Sequence, residues 1–171
     1  MKCKFYSRAQ IWSFDLLAGI TLFLVGVIIF FIYSLNQPDQ TQDTFQLLAY
    51  EGNVVANNLM TSGYPEKWNL TNVVSIGITD DNVVNQTKLE QLYEMIYIQN
   101  NYTLTKHLLN TQYEYYYYFN QNITINSTQV SGIGKPGVTK NNLMAKNLIK
   151  TTRYTIYQNK TTPLYIYTWE E

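Results

Sequence analysis

The chain has 171 residues, with 12 Lys/Arg against 12 Asp/Glu, one His and one Cys, which leaves room for one modest domain and one membrane segment. Lys2, Lys4 and Arg8 precede the first apolar run, and from Asn36 onward nine Lys/Arg stand against eleven Asp/Glu, a balance that gives no support for nucleic acid as a partner. The lone cysteine, Cys3, lies in the basic leader, so everything beyond it must hold its core by burial without disulfides.

Leu16 to Tyr33 reads LLAGITLFLVGVIIFFIY, eighteen residues without a charge. At 1.5 Å rise per residue such a run nearly crosses a hydrocarbon core of about 30 Å. Ile11, Trp12 and Phe14 extend its apolar surface, and Trp12 and Tyr33 bracket it where amphipathic rings favour the headgroup level. Backbone in lipid must satisfy its own hydrogen bonds, so the run is predicted to be a transmembrane helix. It ends Phe30-Phe31-Ile32-Tyr33-Ser34-Leu35-Asn36, without the small residues of a secretory cleavage site, and is therefore expected to be retained. The basic leader places the N-terminus in the cytoplasm and the bulk outside. Six N-x-[ST] sequons, at Asn69, Asn85, Asn101, Asn122, Asn126 and Asn159, all lie beyond the span and are compatible with that side. Asp15 is costly at the edge of an apolar helix. It sits half solvated at headgroup depth or pairs with a positive group on a neighbouring subunit, and both readings stay open.

Beyond the span, Pro38 disfavours helix at Gln37 and predicts a kink or a stop and restart. Phe45, Leu48, Gly52, Val55 and Leu59 then form a helical stripe that runs to Thr61 and stops at Ser62-Gly63. Gly63 to Trp68 reads as a turn, Val73 to Ile78 as a β-run closed by an Asp80-Asp81-Asn82 turn. Asn85 is a predicted N-cap for a helix carrying Leu89, Leu92, Tyr93, Ile96 and Tyr97. A shorter helix over Tyr102 to Leu109 shows Leu104 and Leu108 on one face. Gln112 to Asn120, QYEYYYYFN, is predicted as a strand with Tyr113, Tyr115, Tyr117 and Phe119 toward the core. Its mixed face, Glu114, Tyr116, Tyr118 and Asn120, is expected outside. Ile123 to Val130 reads as the next strand. Ser131 to Gly137 is a Gly/Pro loop without the Gly-Lys-Ser/Thr ending of a phosphate loop. Asn147 to Tyr157 and Pro163 to Trp169 flank Gln158–Thr162 in a hairpin pattern. The head is thus α+β, with an antiparallel sheet of four or five strands.

No constellation in the chain points to catalysis, to a metal or to a cofactor. His107 lacks convergent ligands and reads as a surface histidine. Asp80-Asp81-Asn82 lacks the spaced ligands and terminal Glu of a calcium loop. Glu90 and Glu94 read as a solvated helix face rather than an acid/base pair.

Ser7-Arg8-Ala9-Gln10-Ile11-Trp12-Ser13-Phe14-Asp15, followed by the apolar run, resembles the class III signal of archaeal type IV pilin-like proteins. The resemblance implies that a prepilin peptidase cuts between Ala9 and Gln10 on the cytoplasmic side and leaves the helix on the mature chain. Members usually carry Glu at the fifth mature position, to neutralise the free amine of an adjacent subunit. Here that position is Phe14 and the acid is Asp15, a shift of about 100° around the helix. Gly63 to Asn69, Val73 to Asp80, Asn85 to Leu89 and the closing strand pair ending in Trp169 are similar, more weakly, to uncharacterised archaeal pilin-like surface proteins.

The resemblance implies a leader over 1–9, a transmembrane helix over 10–35, an amphipathic helix over 36–62 and an extracytoplasmic head over 63–171. In that arrangement the long helix continues past Pro38 into an amphipathic helix packed on a small antiparallel sheet, with two further short helices. The implied function is a pilin-like subunit that meets the lipid bilayer and other pilin-like subunits in a filament or minor tip complex. The alternative is a single-pass anchored ectodomain that binds a surface partner and never polymerises.

Overall fold

The computed structural model describes residues 7–35 and 40–171, with side chains over 14–35 and 43–171. The basic leader through residue 6 and Pro38 lie outside the described residues, as do the side chains of Ala9 and Gln10. Two compact units make up the chain, Met1–Gln40 and Thr41–Glu171, and the fold is mixed helix and sheet.

The first unit holds helix α1, Ser7–Leu35. Within it Phe14–Leu35 is long and apolar enough to cross a membrane, and among the described residues it is the one helix that is. Its 22 residues extend about 33 Å.

The second unit opens with helix α2, Gln40–Leu59. Leu48, Val55, Ala56 and Leu59 are fully buried, whereas Phe45, the first residue of the predicted stripe, is 45% exposed. Gly52 lets the helix lie close to the sheet, because a Cβ there would meet the Thr168 and Thr151 hydroxyls at 3.3 and 3.5 Å. The helix stops at Leu59, two residues short of the predicted Thr61.

Strands β1 (Thr79–Asp80) and β2 (Val83–Val84) form a tight hairpin. Its turn is Asp81-Asn82, with φ of 47° and 66°, the left-handed pair that a two-residue hairpin needs and that Asp and Asn tolerate. The predicted strand over Val73–Ile78 does not form. This segment is irregular apart from one bridge, Tyr64 to Ser75. Two of its apolar residues are drawn inward singly instead: Ile76 and Ile78 are buried while Val74 is exposed, and Trp68 donates to the Gly77 carbonyl at 2.9 Å.

Helix α3 (Gln86–Tyr93) follows, with Asn85 as N-cap accepting from the Lys88 amide. It passes into a π-helical turn, Glu94–Ile98. Met95 is buried there together with Leu89, Leu92 and Ile96, and the Tyr93 and Tyr97 rings lie 4.6 Å apart, tilted by 39°. Helix α4 is Tyr102–Leu108. Its buried residue is Thr105, with Leu109 just beyond, while Leu104 of the predicted apolar face is 45% exposed.

Strands β3 (Glu114–Phe119), β4 (Ile123–Ile125), β5 (Thr128–Val130), β6 (Ile133–Gly134), β7 (Asn147–Tyr157) and β8 (Lys160–Glu170) complete the head. The main sheet has six strands in the order β1-β2-β7-β8-β3-β6, and β4-β5 is a separate pair. It exceeds the four or five strands expected and is not purely antiparallel, since β2 runs parallel to β7 at Val83 and Ile156. Ile123–Val130 is therefore a hairpin rather than one strand. It turns on Asn126-Ser127, both left-handed. The loop over Ser131–Gly137 contains β6, paired to β3. The closing hairpin turns on two residues, Gln158-Asn159, with pairing starting at Tyr157 and Lys160.

Strand β3 is flanked on both edges, and both of its faces are buried, contrary to the expected exposed face. Tyr115, Tyr117 and Phe119 enter the main core with Val55, Leu59, Leu92 and Ile166. Tyr116 and Tyr118 join Trp169 in a second cluster covered by Val138, Leu143 and Ala145. Tyr113 of the predicted core face is only half-buried.

Candidate functional site

In α1 every described side chain from Phe14 to Leu35 is exposed except the half-buried Val27. Phe14, Leu22, Phe23, Phe30 and Tyr33 are each two-thirds exposed or more. Such a surface is unstable in water on all sides and needs lipid or other apolar helices around it. Asp15 is exposed near the N-terminal end of the apolar stretch. The Ala9-Gln10 bond lies within the helix, five residues before it.

Two clefts of the head each hold a charged side chain that ties separate segments together. The first, about 410 Å³, is lined by Glu66, Trp68, Asn69, Asp80, Asn85, Lys88 and Gln91 among others. Lys88 is 4% exposed, which a cation tolerates only when its donors are used. Its ammonium pairs with Asp80 and donates to the Ser62 carbonyl at 2.9 Å. Burial raises the Asp80 carboxyl, but Asn85 and Lys88 outweigh that and hold it below the usual range. The second cleft, about 430 Å³, lies at Glu51, Thr103, Lys106, His107, Asn110, Thr111 and Gln112. There Glu51 of α2 accepts from the Thr111 hydroxyl at 2.7 Å and from the Gln112 amide at 3.0 Å. Both charges are spent on ties within the head.

Beside this cleft, at the first residue of β3, Glu114 pairs with Lys106 at 2.6 Å and Lys135 at 3.4 Å. Burial raises its carboxyl, and the Lys106 contact with the Tyr102 and Lys135 contributions more than offsets this, leaving it lowered. Tyr97 is pushed up to about 12 by burial, although its oxygen accepts from the Gly134 amide at 3.2 Å.

No family model, curated protein or solved structure matches this chain. Any reading of the sites therefore rests on their own chemistry.

Of the sequons, Asn85 stands apart. It is partly buried; its side-chain oxygen accepts from the Lys88 amide and its NH₂ donates to Asp80 at 2.7 Å. The nitrogen that a glycan would occupy is therefore engaged. The other five are exposed. Asn126 and Asn159 sit at hairpin turns, and Asn69 accepts from the backbone and hydroxyl of Thr71. Asn122 donates to Gln129 at 3.1 Å. His107 is exposed. Among the described residues no group of three His, Cys, Asp or Glu is placed to hold a metal ion. Glu90 accepts from Gln86 at 2.7 Å, and Glu94 is exposed.

Two features escaped the sequence reading. Lys88 gave no signal beyond its place one residue before Leu89, on the side of the helix that carries Leu92. The long hairpin was recognised, but not that β2, only two residues long, is too short to cover the outer edge of an 11-residue β7.

Proposed function

We propose that the chain is a pilin-like cell-surface subunit, with its N-terminus in the cytoplasm, α1 in the membrane and the α+β head outside. The observation that carries this reading is α1: its stretch from Phe14 to Leu35 is apolar and exposed around its circumference, and it follows Lys2, Lys4 and the sequence Arg8-Ala9-Gln10. Support also comes from the head, whose first element is a helix laid across an antiparallel hairpin. In this reading a prepilin peptidase removes the leader after Ala9, and Gln10 becomes the new terminus. Asp15 then offers a carboxylate to the cationic amine of a neighbouring subunit, where low dielectric strengthens the pairing.

The mass of the mature N-terminal peptide from membranes tests this. The reading expects a chain beginning at Gln10 in cells that contain the peptidase; a chain that keeps Lys2 and Lys4 would sink it. Asp15→Ala is expected to leave membrane insertion intact and to lower incorporation into filaments or tip complexes. Unchanged incorporation would remove the role given to Asp15.

A further inference from the structure

Strand β7 has one edge that the fold leaves open. Its inner edge pairs with β8 along all eleven residues, Asn147 to Tyr157. Because the two-residue turn follows Tyr157, the odd-numbered residues Tyr157 back to Asn147 exchange hydrogen bonds with β8. The even-numbered ones, Leu148, Lys150, Thr152, Tyr154 and Ile156, turn their N–H and C=O groups away from it. Ile156 bears this out, since its amide donates outward to the Asn82 carbonyl at 2.9 Å. There the cover ends. Among the described residues no backbone group bonds the outward amides of Leu148, Lys150, Thr152 and Tyr154, and only Arg153 reaches the Thr152 carbonyl, at 3.2 Å. The same four side chains are exposed, Tyr154 by 66%. Seven residues from Leu148 to Tyr154 leave a slot about 20 Å long, in line with β2.

An open edge of this length is a template for strand addition, in which main-chain bonds supply affinity and alternate side chains supply choice. The charges on this edge narrow the occupant. Strand β7 contains Lys150 and Arg153, follows Lys146, and has no Asp or Glu. None of the three cations is ion-paired among the described residues: Arg153 donates to Asn53 and Asn57 at 3.0 Å, and Lys150 lies 4.1 Å over the Tyr165 ring. A second copy of this chain would bring two such rows of cations onto one ladder, so like charge disfavours it. We propose that the open edge of β7 takes up an extended segment of a partner protein in which carboxylates alternate with apolar residues.

The test uses the full chain in lipid nanodiscs and a capped synthetic peptide of about eight residues, the length of the slot, alternating Val and Glu. Its counterpart alternates Val and Lys. The Val/Glu peptide is expected to slow hydrogen exchange at the amides of Leu148, Lys150, Thr152 and Tyr154, and the Val/Lys peptide to leave them fast. Thr152→Pro removes an outward N–H that β8 does not use, so the hairpin stays folded while affinity falls about tenfold or more. Lys150→Glu, which keeps every backbone group, is expected to shift preference towards the Val/Lys peptide. Three results would overturn the proposal: no protection of these amides by the Val/Glu peptide, equal protection by both peptides, or undiminished binding to folded Thr152→Pro.

Discussion

Tyr115 and Tyr117 point into the same core from β3, both 0% exposed, yet removing their hydroxyls should move stability in opposite directions. The Thr105 hydroxyl donates to the Tyr102 carbonyl at 2.7 Å, so its oxygen is left to accept from Tyr115, 2.6 Å away. A made hydrogen bond of this kind contributes about 1 kcal/mol net. The Tyr117 hydroxyl, by contrast, is buried and has no hydrogen-bond partner among the described residues. Burial raises both phenols well above their ordinary range, as expected where the ionised form cannot be solvated. Leaving a polar group buried and unsatisfied costs about 1–3 kcal/mol. Tyr115→Phe should therefore destabilise the head by about 1 kcal/mol, and Tyr117→Phe should stabilise it by a similar amount. Urea unfolding of the full chain in mild detergent, followed by the fluorescence of the buried Trp68 and Trp169, reads both. With a slope of about 2 kcal/mol per molar, each midpoint moves roughly 0.5 M, down for Tyr115→Phe and up for Tyr117→Phe. If Tyr117→Phe lowers the midpoint as much as Tyr115→Phe does, the assignment of an unsatisfied hydroxyl is wrong.

Gly77→Ala should cost about 3 kcal/mol, because a Cβ there would overlap the Thr61 carbonyl and the Gly63 amide, both backbone atoms with little room to retreat. Unfolding midpoints check this, and a change near zero would mean that the contact is looser than it stands. Acid should weaken the head through Glu114. Its folded pKa lies below the unfolded one, so its contribution is complete above about pH 4.5 and is lost as pH falls through the folded value. Melting temperatures taken from neutral pH downward should show a shallower acid limb in Glu114→Gln than in the parent. Identical limbs would contradict the Lys106 and Lys135 pairing.

The long apolar helix α1, the capped helix after Asn85 and the closing hairpin were legible because each depends on local pattern. An uninterrupted apolar run, an Asn ahead of an apolar stripe and alternation around a polar turn carry their own physical reason. Val73–Ile78 was misread because its β-branched residues suit a strand equally well when buried singly in an irregular segment. The aromatic strand β3 was half legible: alternation marked its inner face, but Tyr116 and Tyr118 read as outward until Val138, Leu143 and Ala145 covered them. Composition along one strand cannot report a cover supplied twenty residues later.

By itself, then, the sequence determined the apolar helix α1 and the positions of most turns, because an uninterrupted apolar run and left-handed turn residues act locally. Tertiary structure alone decided which charge is buried, as at Lys88 held by the half-exposed Asp80, and which strand edge stays open. A short hairpin such as β1-β2 covers only the end of β7, and that follows from how far β2 reaches in space rather than from any residue of β7 itself.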